Sequence, residues 1–425
     1  MPQHIPADEL TYLRGLARRQ AEIAALPVMD KRRKIWTDMN DCVPGARPPF
    51  VMESGTFDRD FMPDSMLRCA SEQGGWLERM FLRNIRHHEI LGDDHVCPDS
   101  IDIGWHIWHD EFGVEIKTSY ADDSEGHTLG YHFDCPIKDL NDGIGDVKPA
   151  SFGINRESTM ESKAYLEEAF GDIMPVRLRY DWLGGCLTQR LMRLMPQDAF
   201  FVAMYECPDK LHALLSMLRD NSVRMMRWAE AEGLLTVNNG NQNTCGTCYN
   251  FTTKLPRRQP PPAPGKVKLS DMWGTLDSQE TVGVSPDLFH EFCFPYYADI
   301  ASMLGFVYWG CCEPVDPIWE KSLSHLPNLR AVSVSRWANQ EFVAEALSGR
   351  DIVFSRKPDP NIFALYKDLD EAVWRKELRT TLEITTKRNI PFGFIVRDLY
   401  TLKGNLPKAR RATEIAHEEI ARFFG

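Results

Sequence analysis

What most limits the fold of this chain is the recurrence of short apolar runs, most of them followed by helical text. Runs at 49–53, 175–182, 234–237, 269–275, 305–311, 330–335, 351–355 and 391–397 have the length and composition of strands. Eight βα units predict an α/β chain, a (β/α)8 TIM barrel with N-terminal helices and an irregular β-ribbon insertion after the first strand. The expected division is a helical extension at 1–47 and a barrel at 48–425. The insertion covers about 92–150 and a long loop runs from 238 to 268.

Local signals agree with that outline. Residues 7–40 read as two helices, with Leu10, Leu13, Leu16 and Ala17 on one face. Alternation in Ile101-Asp-Ile-Gly-Trp-His-Ile-Trp108 and in Phe112-Gly-Val-Glu-Ile-Lys117 predicts the ribbon. A helix from Pro208 to about Glu232 stops at Gly233. Ser285 caps a helix that has Pro286 at its first position, and Pro295 predicts a kink inside it.

The 425 residues are enough for a large core, and 43% hydrophobic with 26% charged is the composition of a soluble globular protein. A net charge of -12 argues against a nucleic-acid footprint, because phosphate contacts need clustered Lys and Arg. No run is long enough to span a bilayer, and the first residues do not read as a secretory signal. The eleven cysteines follow no framework spacing, which predicts reduced thiols and a cytoplasmic protein.

The segment Gly305–Trp319 carries the strongest chemical signal. An apolar run, Phe306–Trp309, delivers Cys311, Cys312 and Glu313 at its C-terminal end, and Pro314 and Pro317 forbid the strand to continue. Reactive side chains collect at that end of barrel strands. The predicted rim then carries Glu53, Asp181, the 238–249 loop, Asp277 with Ser278 and Glu280, Cys311-Cys312-Glu313, Ser335-Arg336, Arg356-Lys357 and Arg397-Asp398. Such a ring suits an anionic substrate held by guanidinium groups, with acids free to move protons. Neighbouring strand residues point to opposite faces, so Cys311 and Cys312 share a site only if the chain has left the strand. Cys245-x-x-Cys248 has redox or metal spacing but lacks the strand-then-helix setting of a thioredoxin motif. The 106–135 segment is rich in His, Asp and Glu, but its His106-x-x-His109 spacing reads as an extended, part-buried strand rather than a metal site.

From about 174 onward the chain resembles the uroporphyrinogen decarboxylase-like superfamily, which includes corrinoid-dependent methyltransferases. The residues that carry the resemblance are Asp277-Ser-Gln-Glu-Thr-Val-Gly-Val-Ser-Pro286 and Glu291-Phe-Cys-Phe-Pro-Tyr-Tyr297, with Phe354-Ser-Arg-Lys-Pro-Asp-Pro360 and Tyr180-Asp-Trp-Leu-Gly-Gly-Cys186. The Arg-rich substrate loop of the decarboxylases is missing, and Ser335 stands where their sixth strand ends in an acid. In the methyl-transferring branch, a zinc-binding His-x-Cys motif falls on Gly310-Cys-Cys312, so the cysteine is matched and the histidine is not.

The resemblance implies methyl transfer between a small methylated substrate and a corrinoid carried by a partner protein. Glu313, Asp277 and Asp398 are the candidate catalytic residues. Arg356, Lys357, Ser278, Glu53 and Asp181 would bind substrate, and Cys312 with Glu313 would bind zinc. A metal-free decarboxylase of an acidic small molecule or tetrapyrrole is the second reading. A barrel that binds a ligand or a corrinoid protein without catalysis is the third. Each catalytic reading needs Cys312, Arg356 and Asp398 to open into one space.

Overall fold

The computed structural model describes residues 4–122, 128–180, 183–244 and 248–425. In chain order its strands are β1 (Phe50–Met52), β2 (Ile101–Gly104), β3 (Ile107–Asp110), β4 (Thr118–Asp122), β5 (Thr128–Phe133) and β6 (Ser151–Ile154). They are followed by β7 (Val176–Arg179), β8 (Trp273–Leu276), β9 (Phe306–Trp309), β10 (Leu329–Val334), β11 (Val353–Arg356) and β12 (Phe392–Val396). A six-stranded parallel sheet in the order β1-β12-β11-β10-β9-β8 is the centre of the molecule.

Burial on both faces explains why these strands are so apolar. In β9 every residue is buried, and successive side chains go to opposite layers. Trp309 meets Tyr297 and Phe289 on the helix side, with ring centroids 5.0 and 6.3 Å apart. Phe306 and Tyr308 pack on the other face, with Val51, Ala331, Val353 and Ile395. That inner face is filled by Trp36 and Met39 of the second N-terminal helix (Pro27–Asn40) and by Tyr249 and Leu255 from the long loop. The first N-terminal helix (Ala7–Ala24) packs elsewhere, in a separate core with Phe81 and Phe170.

The α/β class is as expected, but among the described residues the strands do not pair into a closed eight-strand ring. Leu234–Val237 forms no strand, and β7 pairs with β2 in a separate two-stranded sheet. Side chains take over the two sheet edges. At β1, Asp94 Oδ2 accepts from Phe50 N at 2.9 Å and Asp93 Oδ2 from Met52 N at 3.0 Å. At β8, Asn238 both accepts from Trp273 N at 2.8 Å and donates to Trp273 O at 2.9 Å. Backbone groups satisfied in this way have nothing left to offer an incoming strand at those positions. Further along β8, Thr275 N donates to Leu183 O and Gly185 N to Thr275 O, both at 2.9 Å. Among the described residues, that short parallel bridge is the pairing the second expected unit makes with β8.

The ribbon expected from Ile101–Trp108 and Phe112–Lys117 forms from other residues: 112–117 is not a strand, β2 pairs in parallel with β7, and the antiparallel ribbons are β3–β6 and β4–β5. Ser285 Oγ caps Leu288 N at 3.3 Å, and the chain breaks at Cys293 into helices Pro286–Phe292 and Phe294–Met303, with Pro295 in the first turn of the second. No helix among the described residues is long and apolar enough to cross a membrane.

Candidate functional site

β9 ends at Gly310, whose φ of +95° is available to glycine and strained for other residues. A Cβ there would also lie 3.1 Å from Ser333 Cβ. The turn takes the chain out of the strand, so both following thiols reach the rim, with their sulfurs 3.6 Å apart. Cys312 Sγ donates to Asp398 Oδ2 at 3.1 Å. Arg397 Nη1 lies 3.3 Å from Cys311 Sγ, and its Nε lies 3.2 Å from Glu53 Oε2 and 3.5 Å from Asp398 Oδ2. The ends of β1, β9 and β12 thus meet in one half-buried cluster of two thiols, two carboxylates and a guanidinium. Burial pushes the Glu53 carboxyl above its usual range, against the pull of Arg397. Asp398 and Tyr400 both hold left-handed backbone, with φ of +56° and +54°. Strain of that kind persists where surrounding contacts enforce it.

Beside this cluster lies a second pair of acids. Glu313 is buried, and its oxygens accept from Cys311 N at 2.9 Å and Ser278 N at 3.1 Å. It therefore clamps the end of β8 to the end of β9. Burial raises its pKa, and the backbone donors oppose that rise. Asp277, also buried, accepts from Gln189 Nε2 at 3.0 Å on both oxygens and from Cys186 Sγ at 3.3 Å. Its pKa is pushed up to about 7, first by burial and then by the charges of Glu313 and Glu280. Asp277 therefore stays partly protonated near neutral pH, where an ordinary carboxyl would be fully ionised. Ser278 contributes its backbone to the Glu313 clamp, and its buried hydroxyl has no hydrogen-bond partner among the described residues.

Arg356 is a correction. It was expected at the substrate, yet it points to the helix layer, donating to Val334 O and Ser335 O and pairing with Glu377 at 2.6 Å. Lys357, one residue on, faces inward and donates to Tyr308 OH at 2.6 Å, Ser355 Oγ at 2.8 Å and Cys248 Sγ at 3.4 Å. The requirement that Cys312, Arg356 and Asp398 share one space is met by two of the three. Arg397 supplies the guanidinium, a residue that sequence reading put on the rim without giving it a role. Gln189 and Cys186 were not anticipated either, although Gly184-Gly185-Cys186 marked their turn. Asp181 and Cys245 lie outside the described residues.

A zinc ion needs three or four thiolate, imidazole or carboxylate ligands converging on one point. Among the described residues no three such side chains do so. Where Cys311, Glu53 and Asp398 come together, the guanidinium of Arg397 already lies between them. The donor set does not fit zinc.

No known family model matches the chain, and no curated protein matches it. Among solved structures it is similar to a methyltransferase from Methanosarcina mazei, at 11% identity and a TM-score of 0.48. The likeness covers 90% of this chain and 98% of that one. At that score it decides nothing about chemistry.

Proposed function

We propose that the chain is an enzyme of the uroporphyrinogen decarboxylase-like superfamily that transfers a methyl group from a small methylated substrate at the sheet's C-terminal rim, without zinc. The observation that carries this reading is the pairing of a proton-bearing Asp277 with the Cys312–Asp398–Arg397 cluster on adjoining strand ends. Losing a methyl group leaves an oxygen or nitrogen that must take up a proton, and a carboxyl with a pKa near 7 is suited to give one. The Cys312–Asp398 hydrogen bond holds a second transferable proton. Arg397 keeps positive charge next to both carboxylates, so a substrate anion displacing Glu53 would find a guanidinium already in place.

The methyl acceptor in this reading is a corrinoid on a partner protein, which supplies a nucleophilic cobalt when bound. Supporting a partner at this face are exposed Trp337 (65%), Tyr366 (70%) and Tyr400 (69%), carried by the loops after β10, β11 and β12. Large exposed apolar side chains grouped at a site mark a surface for covering. A metal-free decarboxylase is favoured by one observation, the guanidinium standing where a metal would be. It differs in that Asp277 would protonate a carbanion.

Metal-stripped protein incubated with reduced cobalamin and a panel of methyl ethers and methylamines should form methylcobalamin. Asp398→Asn and Cys312→Ser should each lower the rate by about 10²-fold. Carbon dioxide release from an acidic substrate, with no methylcobalamin from any donor, would assign the second reading. Activity that returns only with added zinc would overturn both.

A further inference from the structure

Away from the rim, a cavity of about 680 Å³ opens beside β2 and β7, under the loop Val237–Asn243. It lies toward the opposite end of the sheet, where Asn238 ties that loop to Trp273 at the start of β8. The loop enters this space because Leu234–Val237 does not join the sheet. The proton-transfer machinery above makes no use of it.

Its wall has an unusual chemistry. Three guanidinium groups line it, and each is already neutralised: Arg177 by Asp99 at 3.0 Å, Arg179 by Asp102 at 3.1 Å and Arg33 by Asp30 at 2.6 Å. No surplus positive charge is left to hold an anion. Ser100 joins these ion pairs, its hydroxyl donating to Asp102 Oδ1 at 2.6 Å and accepting from Arg177 Nη1 at 3.2 Å, and the remaining polar side chains are amides. Asn239, Asn241 and Asn84 each spend their amide nitrogen on the protein, donating to Leu255 O at 2.8 Å, Val96 O at 3.4 Å and Gln20 Oε1 at 3.0 Å. Each amide then offers its carbonyl oxygen as an acceptor and a second N–H as a donor, beside ion pairs whose outer N–H groups are donors. Phe251 and Met80 add apolar surface to the same space.

Alternating acceptors and donors without net charge, next to an aromatic face, match the hydroxyls and C–H faces of a sugar ring. The volume falls within the range of small-molecule sites. We propose that this cavity is a binding site for a neutral polyhydroxylated ligand of one or two sugar rings, separate from the rim. The proposal does not depend on the activity assigned above.

The test is saturation-transfer NMR on the full chain with maltose as probe, with phosphorus NMR of inorganic phosphate alongside. Maltose should receive saturation, and phosphate should show no broadening. Gln242→Ala combined with Asn243→Ala removes one half-buried and one exposed lining amide, and should weaken maltose binding about tenfold. Asn243→Trp, which narrows the mouth, should abolish it, and thermal melts should confirm that both variants stay folded. Absence of a maltose signal from the wild type would overturn the proposal. So would a signal indifferent to both variants, or phosphate binding in place of the sugar.

Discussion

Asp277 and Arg356 show how much a single side chain's surroundings decide. Burial and two neighbouring acids raise the pKa of Asp277 to about 7, so ionising it costs the fold. In the unfolded chain the carboxyl ionises near pH 4, whereas in the folded chain it does so near 7. Stability is therefore lost as pH rises between those values, and the cost is complete above about 7. Asp277→Asn should raise stability by up to about 4 kcal/mol at pH 8, and leave it nearly unchanged at pH 4. Urea unfolding at the two pH values checks this. Arg356→Ala should do the reverse of what a substrate ligand would. It leaves Glu377 without its partner and should cost about 3 kcal/mol, while the KM of the protein that remains folded stays unchanged. The outward placement of Arg356 follows from the sequence pattern. The alternation that separates neighbouring strand residues applies to Arg356 and Lys357 at the end of β11, and only one of them can face inward. At Cys311 and Cys312 the same rule gives way because Gly310 ends the strand first.

Among the elements, β1 depends most on neighbours that sequence reading did not anticipate. Its outer edge is held by Asp93 and Asp94, and Asp93 also meets His87, with Nδ1 3.3 Å from Oδ2. His87 stacks on His95 at 4.2 Å, and His95 bonds to Tyr249 OH in the loop that fills the sheet's inner face. Burial, with His87, Arg32 and His88 nearby, holds His95 well below its ordinary pKa. It stays neutral when folded, while the unfolded chain protonates it near 6.5. The stability it contributes is present above that value and is lost as pH falls below it. Urea midpoints should drop between pH 7 and pH 5 in the wild type, and drop less in His95→Gln. Equal drops would mean that the acid sensitivity resides elsewhere. Sequence periodicity found β1 itself because three apolar residues followed by a polar one are local information. The carboxylates that cap its edge lie more than forty positions away and carry no local signal.

On the scale of the molecule, the strands of the six-stranded sheet were legible because parallel strands buried on both faces must be written in apolar residues. Ring closure was not legible. It depends on whether Leu234–Val237 reaches β8, and the side chain of Asn238 takes the backbone of Trp273 first. The rim could be read as a list of strand ends, and the grouping within it could not. The structure gives Glu313 a clamping contact between β8 and β9, and Arg397 joins two carboxylates and a thiol. The zinc expectation rested on a motif whose cysteine is present at Cys312 and whose histidine is replaced by Gly310.

The pH dependence of methyl transfer to reduced cobalamin measures directly whether the Asp277 carboxyl supplies the proton. Wild-type turnover should fall as pH rises through about 7, as the carboxyl ionises. Asp277→Asn should be slower by about 10²-fold and flat over the same range. A variant that keeps the wild-type rate and the same descending limb would contradict the account.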